Sequence, residues 1–226
     1  NKNRNFLGGK YVQKFEKDCK KYFKVKHAIT VNSWTSGLVA IIGSLNVKPG
    51  DEIILSPWTM SACSSAIIHW GCIPVFSDID EKTFNLDPKK IIKKISKKTK
   101  AIMAIDLFGQ PCDMSEIRKI CNDYNLKFIC DSAQSIGAQY KNKYSSAAAD
   151  VGGYSLNFHK HINTGEGGII ITNDSKIAKK CQLIRNHAEV TVESYKTSDL
   201  SNMVGHNFRL TEIQAAIGIE QLKKLK

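Results

Sequence analysis

Three stretches of this sequence combine residue types and spacings that could do chemistry. Lys160 lies in the run S-L-N-F-H-K-H-I-N-T-G-E-G-G (155–168). A lysine held in a partly dry pocket loses proton affinity and becomes a usable amine nucleophile. Asp131 closes the apolar run K-F-I-C-D (127–131), where its carboxylate could face a cationic ring nitrogen and keep it protonated, with Gln134 three residues on. The third stretch, N-S-W-T-S-G-L (32–38), sets small hydroxyl residues at the start of an apolar helix. Free backbone N–H groups and the positive end of the helix dipole bind phosphate there without needing a lysine. Each feature also has an ordinary reading: a solvated loop lysine, a strand-end carboxylate, a Ser/Thr cap. The order and spacing of all three are what distinguish them.

Such groups act together only if the fold brings them to one place. Short apolar runs read as strands at 27–31, 52–56, 73–76, 101–106, 127–131, 152–157 and 167–173, alternating with helix-like segments at 10–23, 36–46, 59–69, 88–97, 114–124 and 175–185. The segment 114–124 carries Asp113 as cap, Glu116 at the third helical position and Met114, Ile117, Ile120 and Cys121 along one face. Strands separated by helices, several apolar throughout, predict a three-layer α/β/α domain with a mainly parallel, mixed sheet covered on both faces. Sheets of this kind bind ligands beyond the carboxyl ends of their strands. The segments N-S-W-T-S-G, S-A-Q-S and F-H-K-H-I-N-T-G-E-G-G each follow a predicted strand, so the chemistry falls where the rule places it.

Composition narrows the class. With 42% hydrophobic and 24% charged residues the chain reads as a soluble globular protein, and at 226 residues it can bury a full core. No apolar run approaches the length of a membrane span, and the first residues lack a signal-peptide core, so a cytoplasmic location is expected. The seven cysteines are odd in number and contain no C-x-x-C, which reads as reduced, mostly buried thiols with no metal site. The net charge of +12 suggests nucleic acid, but much of it sits in D-P-K-K-I-I-K-K-I-S-K-K-T-K (87–100). There Asp87 and Pro88 read as cap and first turn, Ile91, Ile92 and Ile95 as one buried face, and the lysines as its wet side. No interleaved aromatics accompany them, so no nucleic-acid or membrane partner is expected. No G-x-G-x-x-G or Walker sequence is present. The run 211–226 reads as a helix without a stop signal, so more chain is expected beyond Lys226.

With these residues in view, the sequence resembles the DegT/DnrJ/EryC1/StrS family of sugar aminotransferases, enzymes of the fold type I class that use pyridoxal 5′-phosphate (PLP). The matching segments are 26–38, 49–67, 74–88, 99–114, 128–143, 154–174, 184–189 and 205–218, nearly the whole chain. The pair D-x-A-Q (Asp131–Gln134) and K-x-x-x-x-G-E-G-G (Lys160–Gly168) is the most specific part. The resemblance implies that residues 1–226 form the PLP-binding large domain, with 1–24 as a helical lead and 205–226 starting a helix towards a smaller C-terminal domain. It implies that Lys160 forms the Schiff base, that Asp131 pairs with the pyridine nitrogen and that Gln134 lies beside the ring hydroxyl. Thr35 and Ser36 fall on the phosphate turn, Ser155 reaches the phosphate from a strand, and Asn207 matches an asparagine supplied by a neighbouring subunit of a homodimer. The position after Thr59, often aromatic in the family and stacked on the ring, is Met60 here; Trp34 or Trp58 could share that duty. His159 and His161 flank the lysine, close enough to touch substrate.

The activity so implied is transfer of an amino group, from L-glutamate, to a nucleotide-linked keto sugar, the cofactor alternating between PLP and pyridoxamine 5′-phosphate. A related branch removes a sugar hydroxyl and carries histidine in place of the lysine, so Lys160 argues against it. A non-enzymatic regulator on this fold would not need Lys160, Asp131 and Gln134 together. A basic nucleic-acid binder is the outsider, recognisable by salt-dependent retention on DNA.

Overall fold

Apolar periodicity decides each element in turn. In the computed structural model, which describes residues 8–188 and 203–225, helix α1 (Lys10–Phe23) buries Val12, Phe15, Cys19 and Phe23, a stripe at helical spacing, and ends at Lys24 in the left-handed conformation. Residues 1–7 of the expected helical lead, Glu189 of the segment 184–189, and Lys226 lie outside the described residues. Strand β1 (His27–Val31) leads into α2 (Trp34–Ser44), capped by Ser33, whose side chain accepts from the Ser36 N–H. There follow β2 (Glu52–Leu55), α3 (Ser61–His69), β3 (Ile73–Phe76), α4 (Pro88–Ile91), β4 (Thr99–Ile105), α5 (Met114–Asp123) and β5 (Lys127–Asp131). The small hairpin of β6 (Gln139–Tyr140) and β7 (Lys143–Tyr144) and the short α6 (Ser145–Ala148) precede β8 (Val151–Ser155). The chain returns through β9 (Gly168–Thr172), α7 (Ser175–Arg185) and α8 (Glu212–Leu222).

Seven strands make one sheet in the order β1-β9-β8-β5-β4-β2-β3. The pairs β2–β3, β2–β4, β4–β5 and β5–β8 are parallel, while β9 runs antiparallel to both neighbours. The mixed, mainly parallel sheet expected from the sequence is therefore present. Side-chain alternation sorts the layers. Ile29, Ile53, Met103, Ile129 and Ile170 face a core shared with α2, α3 and α7. Their strand neighbours Ala28, Ile169 and Ile171 face α1 and α8, and Ile54, Ile102, Phe128 and Cys130 face α5. All seven cysteines are buried and free. No described helix is long and apolar enough to cross a membrane.

The lysine-rich segment departs from expectation. Asp87 does cap it, and Pro88 opens it, but the α-helix stops at Ile91 and tightens to a 3₁₀ turn over Ile92–Lys94. Ile91 and Ile92 both keep α-helical dihedrals, so Ile92 stands roughly 100° round the axis from Ile91 and leaves the buried face. Ile91 is fully buried, Ile95 packs at the margin, and Ile92 is 47% exposed.

One polar knot ties the first helix to the sheet and the opposite layer. Glu16 Oε1 accepts from the Thr30 N–H (2.9 Å) and hydroxyl (3.0 Å) and pairs with Arg185 Nη1 at 2.6 Å. Arg185 Nη1 also donates to the Thr30 carbonyl at 3.0 Å. The pair is partly buried, but Thr30 is wholly so; Glu16→Ala leaves the Thr30 donors without their acceptor, so we expect a loss of about 2 kcal/mol in urea-denaturation stability.

Candidate active site

The carboxyl ends of β1, β2, β4, β5 and β8 converge on a cleft of about 560 Å³ at one edge of the sheet. The start of α2 supplies Ser33, Trp34 and Thr35; the loop into α3 supplies Thr59 and Met60; the ends of β4 and β5 supply Ile105, Asp131, Ala133 and Gln134. The β8–β9 connection closes it with Ser155, Asn157, His159, Lys160, His161 and Glu166. Of the residues singled out in the sequence, Thr35, Met60, Asp131, Gln134, Ser155 and Lys160 thus share one cavity.

Asp131 is 4% exposed. As the second residue after Ile129 it projects from the same sheet face, towards α2 and α3. Its Oδ1 accepts from Trp34 Nε1 at 2.6 Å and from the Ala133 N–H at 3.0 Å, and its Oδ2 accepts from Cys63 Sγ at 3.1 Å. Burial pushes the carboxyl above its ordinary range, opposed by these donors. Among the described residues no lysine, arginine or histidine forms an ion pair with it. Behind it, buried Asp106 accepts from Ser132 Oγ (2.7 Å), Ser135 Oγ (3.0 Å) and the Cys112 N–H (3.0 Å), which fixes the turn carrying Ala133 and Gln134.

Lys160 is half-buried across the cleft. Its N–H donates to the Asn157 carbonyl at 2.9 Å, which sets the turn, and its ammonium has no protein partner among the described residues. The loop is braced by Asn157 Nδ2 donating to Glu166 Oε1 and by Gln214 Nε2 donating to the Glu166 carbonyl at 2.9 Å. Gly167 turns the chain into β9 at φ +153°, and a Cβ there would stand 2.6 Å from Thr164 Oγ1. At the other wall, the backbone N–H groups of Trp34 and Thr35 open an 11-residue helix and have no protein acceptor among the described residues.

Other placements were not foreseen. Ser36 lies outside the cleft lining, with its N–H and hydroxyl both turned to Ser33 Oγ. Gln134 Oε1 accepts from the Phe108 N–H at 2.9 Å, and Ser155 Oγ accepts from the Asn157 N–H at 3.3 Å. Met60 is 68% exposed at the rim. Trp58 does not line the cavity, and Trp34, buried at its base, spends its indole N–H on Asp131. Asn207 is exposed and does not reach the cleft of its own chain; its carbonyl accepts from Asn32 Nδ2 at 3.2 Å. The sequence reading missed Cys63 as a site residue. Its one signal is position: four residues after Thr59, it lies a helical turn on, with Thr59 Oγ1 3.4 Å from its sulfur.

A buried carboxylate met by neutral donors alone, an unpaired lysine amine and an open helix start form a donor set that suits a phosphorylated cationic heterocycle with a carbonyl arm. The whole chain, residues 1–226, matches the sequence pattern of the DegT/DnrJ/EryC1/StrS aminotransferase family. It is 39% identical over 217 residues to the GDP-perosamine synthase of Caulobacter vibrioides, covering 96% of this chain and 57% of that protein. The crystal structure of an aminotransferase from Psychrobacter cryohalolentis superposes with a TM-score of 0.89 at 34% identity, covering 96% of this chain and 56% of that one. The E. coli GDP-4-keto-6-deoxy-D-mannose-3-dehydratase, solved with bound hydrated PLP, superposes at 0.88 with 32% identity, covering 97% and 61%. The chain thus spans less than two thirds of the length of these relatives. On sequence and fold together, the chain belongs to the DegT/DnrJ/EryC1/StrS aminotransferase family.

Proposed function

We propose that the full-length protein is a PLP-dependent aminotransferase that moves an amino group from L-glutamate to a nucleotide-linked keto sugar. The observation that carries this reading is the pairing, in one cleft, of an unpartnered Lys160 amine with a buried Asp131 carboxylate that has no cation of its own. Relatives point the same way: 39% identity to a GDP-perosamine synthase and 35% to a Helicobacter pylori UDP-sugar transaminase.

In this reading Thr35 at the start of α2 and Ser155 hold the cofactor phosphate, while Ser36, bonded to Ser33 Oγ, braces that turn from outside the cleft. Met60 packs its thioether on the ring, Gln134 lies beside the ring hydroxyl, and Lys160 Nζ is the covalent anchor. Asn207 serves the same phosphate in a partner subunit of a homodimer, in keeping with its exposure on its own chain. When bound, the cofactor supplies the electron sink for a carbanion at the amino donor's Cα. The Lys160 amine would also serve as the base and acid that moves a proton to and from the amino donor's Cα. Asp131 keeps its negative charge against the ring nitrogen throughout. His159 and His161, exposed on the same loop, face the approach of the sugar.

Adding L-glutamate to the PLP-loaded full-length protein should convert the visible cofactor band to that of the pyridoxamine form and release one equivalent of 2-oxoglutarate per site. A band indifferent to glutamate and to other amino acids would refute the aminotransferase reading.

A further inference from the structure

Trp34 is a large side chain at the first position of a helix, and only 6% of it is exposed. Its slot is cleared by glycines from three elements. A Cβ at Gly37 would stand 2.9 Å from Trp34 Cε3, one at Gly153 2.6 Å from Cζ3, and one at Gly168 3.0 Å from the Trp34 Cα. Gly153 is also the strand neighbour of Asp131, so the missing side chain on β8 is what lets the indole reach the end of β5. The slot aims Nε1–H at Asp131 Oδ1, while α3 brings the Cys63 thiol to Oδ2 from the other side. Burial and the neighbouring Asp131 charge push the Cys63 thiol well up, so it stays an S–H donor.

We propose that Trp34 and Cys63 are positioning residues that weaken the proton affinity of Asp131, so that a proton shared with a ring nitrogen stays on the ring. The inference rests on the cofactor reading above. Its physical basis is a competition. Desolvation alone favours the neutral acid, which would leave the ring uncharged. A lysine or arginine would keep the carboxylate ionised but repel a pyridinium. Neutral N–H and S–H donors stabilise the anion without adding positive charge, and Oδ2, which accepts only from the Cys63 thiol among the described residues, keeps a lone pair free. Of the charged and titratable groups near the carboxylate, Asp106 behind it works against ionisation, and Lys160, His159, His161 and Glu166 face it across the cleft.

Two measurements test this. In ¹⁵N-labelled, cofactor-free protein the indole resonance of Trp34, identified by its loss in Trp34→Phe, should lie downfield of those of Trp58 and Trp70. It should move upfield in Asp131→Asn. With ring-¹⁵N pyridoxamine 5′-phosphate bound, Trp34→Phe and Cys63→Ala should each lower the pH at which the ring nitrogen loses its proton. Each should weaken binding about tenfold, the effect of one hydrogen bond to a charged group. Cys63→Ser, which keeps a donor, should restore the wild-type titration, an outcome that a packing role alone does not give. A Trp34 resonance indifferent to Asp131→Asn overturns the proposal, as does wild-type ring titration in folded Trp34→Phe and Cys63→Ala. Failure of the unmodified protein to bind the cofactor overturns the cofactor reading and the ring-nitrogen role with it, while the indole resonance separately decides the clamp on Asp131.

Discussion

Borohydride reduction of the PLP-loaded protein should fix the cofactor to Lys160 and to no other lysine, and Lys160→Ala should abolish both the label and amino transfer. Lys160 combines roles that no neighbour can assume: its amine is unpartnered, and it borders the cleft that Asp131 closes from below. The resemblance leaves no second lysine at hand, since Lys141 donates to Ser115 Oγ at 2.8 Å and lies outside the lining. Losing the positioned proton carrier alone costs roughly 10²–10⁴-fold, and losing the covalent anchor adds to it. Lys160→His is the sharper variant. An imidazole can move protons but cannot form and re-form the covalent link, so glutamate-dependent amination of the keto sugar should stop. Pyridoxamine 5′-phosphate should still bind, because the opening turn of α2 is untouched. The measurements are peptide mapping of the reduced adduct and mass spectrometry of the sugar product. A label on Lys141, or a product from the unmodified enzyme that has lost a hydroxyl without gaining nitrogen, would overturn the assignment.

Asp131→Asn should leave cofactor binding detectable and slow transamination by roughly 10²–10³-fold, the scale for removing one preorganised electrostatic group from a dry site. The amide keeps the shape but carries no charge to hold a proton on the ring. Its effect on stability should run the other way. Burial raises the folded-state pKa of Asp131 above its unfolded value. The folded state therefore binds the proton more tightly, and this carboxyl's contribution to stability falls as pH rises from the unfolded to the folded pKa. Above that window the ionised group weighs against the cofactor-free fold, so the asparagine variant should melt no lower than the wild type at neutral pH. Loss of activity with unchanged or improved melting separates a site role from a strand-end cap. Near-normal turnover would show that the carboxylate is only the cap.

The amino-acid sequence by itself determined the alternation of strands and helices, because burial on one face imposes a period that any stretch of ten residues reveals. It also marked Asp131, Lys160 and the turn at Thr35, since these occupy short local patterns at strand ends. It misplaced Ile92, because three isoleucines spread round a single short turn cannot all face the sheet, and packing chose Ile91. What only the tertiary structure decided is who holds Asp131. Trp34 and Cys63 stand 97 and 68 residues away from it along the chain, on helices whose common sheet face no local period announces. Gly37, Gly153 and Gly168 read separately as punctuation, yet they become one slot when α2, β8 and β9 are packed together. Local patterns encode the conformation of a segment and which of its faces is dry. The partner that fills that face is chosen by packing across the whole sheet, where shape and the need to satisfy a buried carboxylate are decided at once.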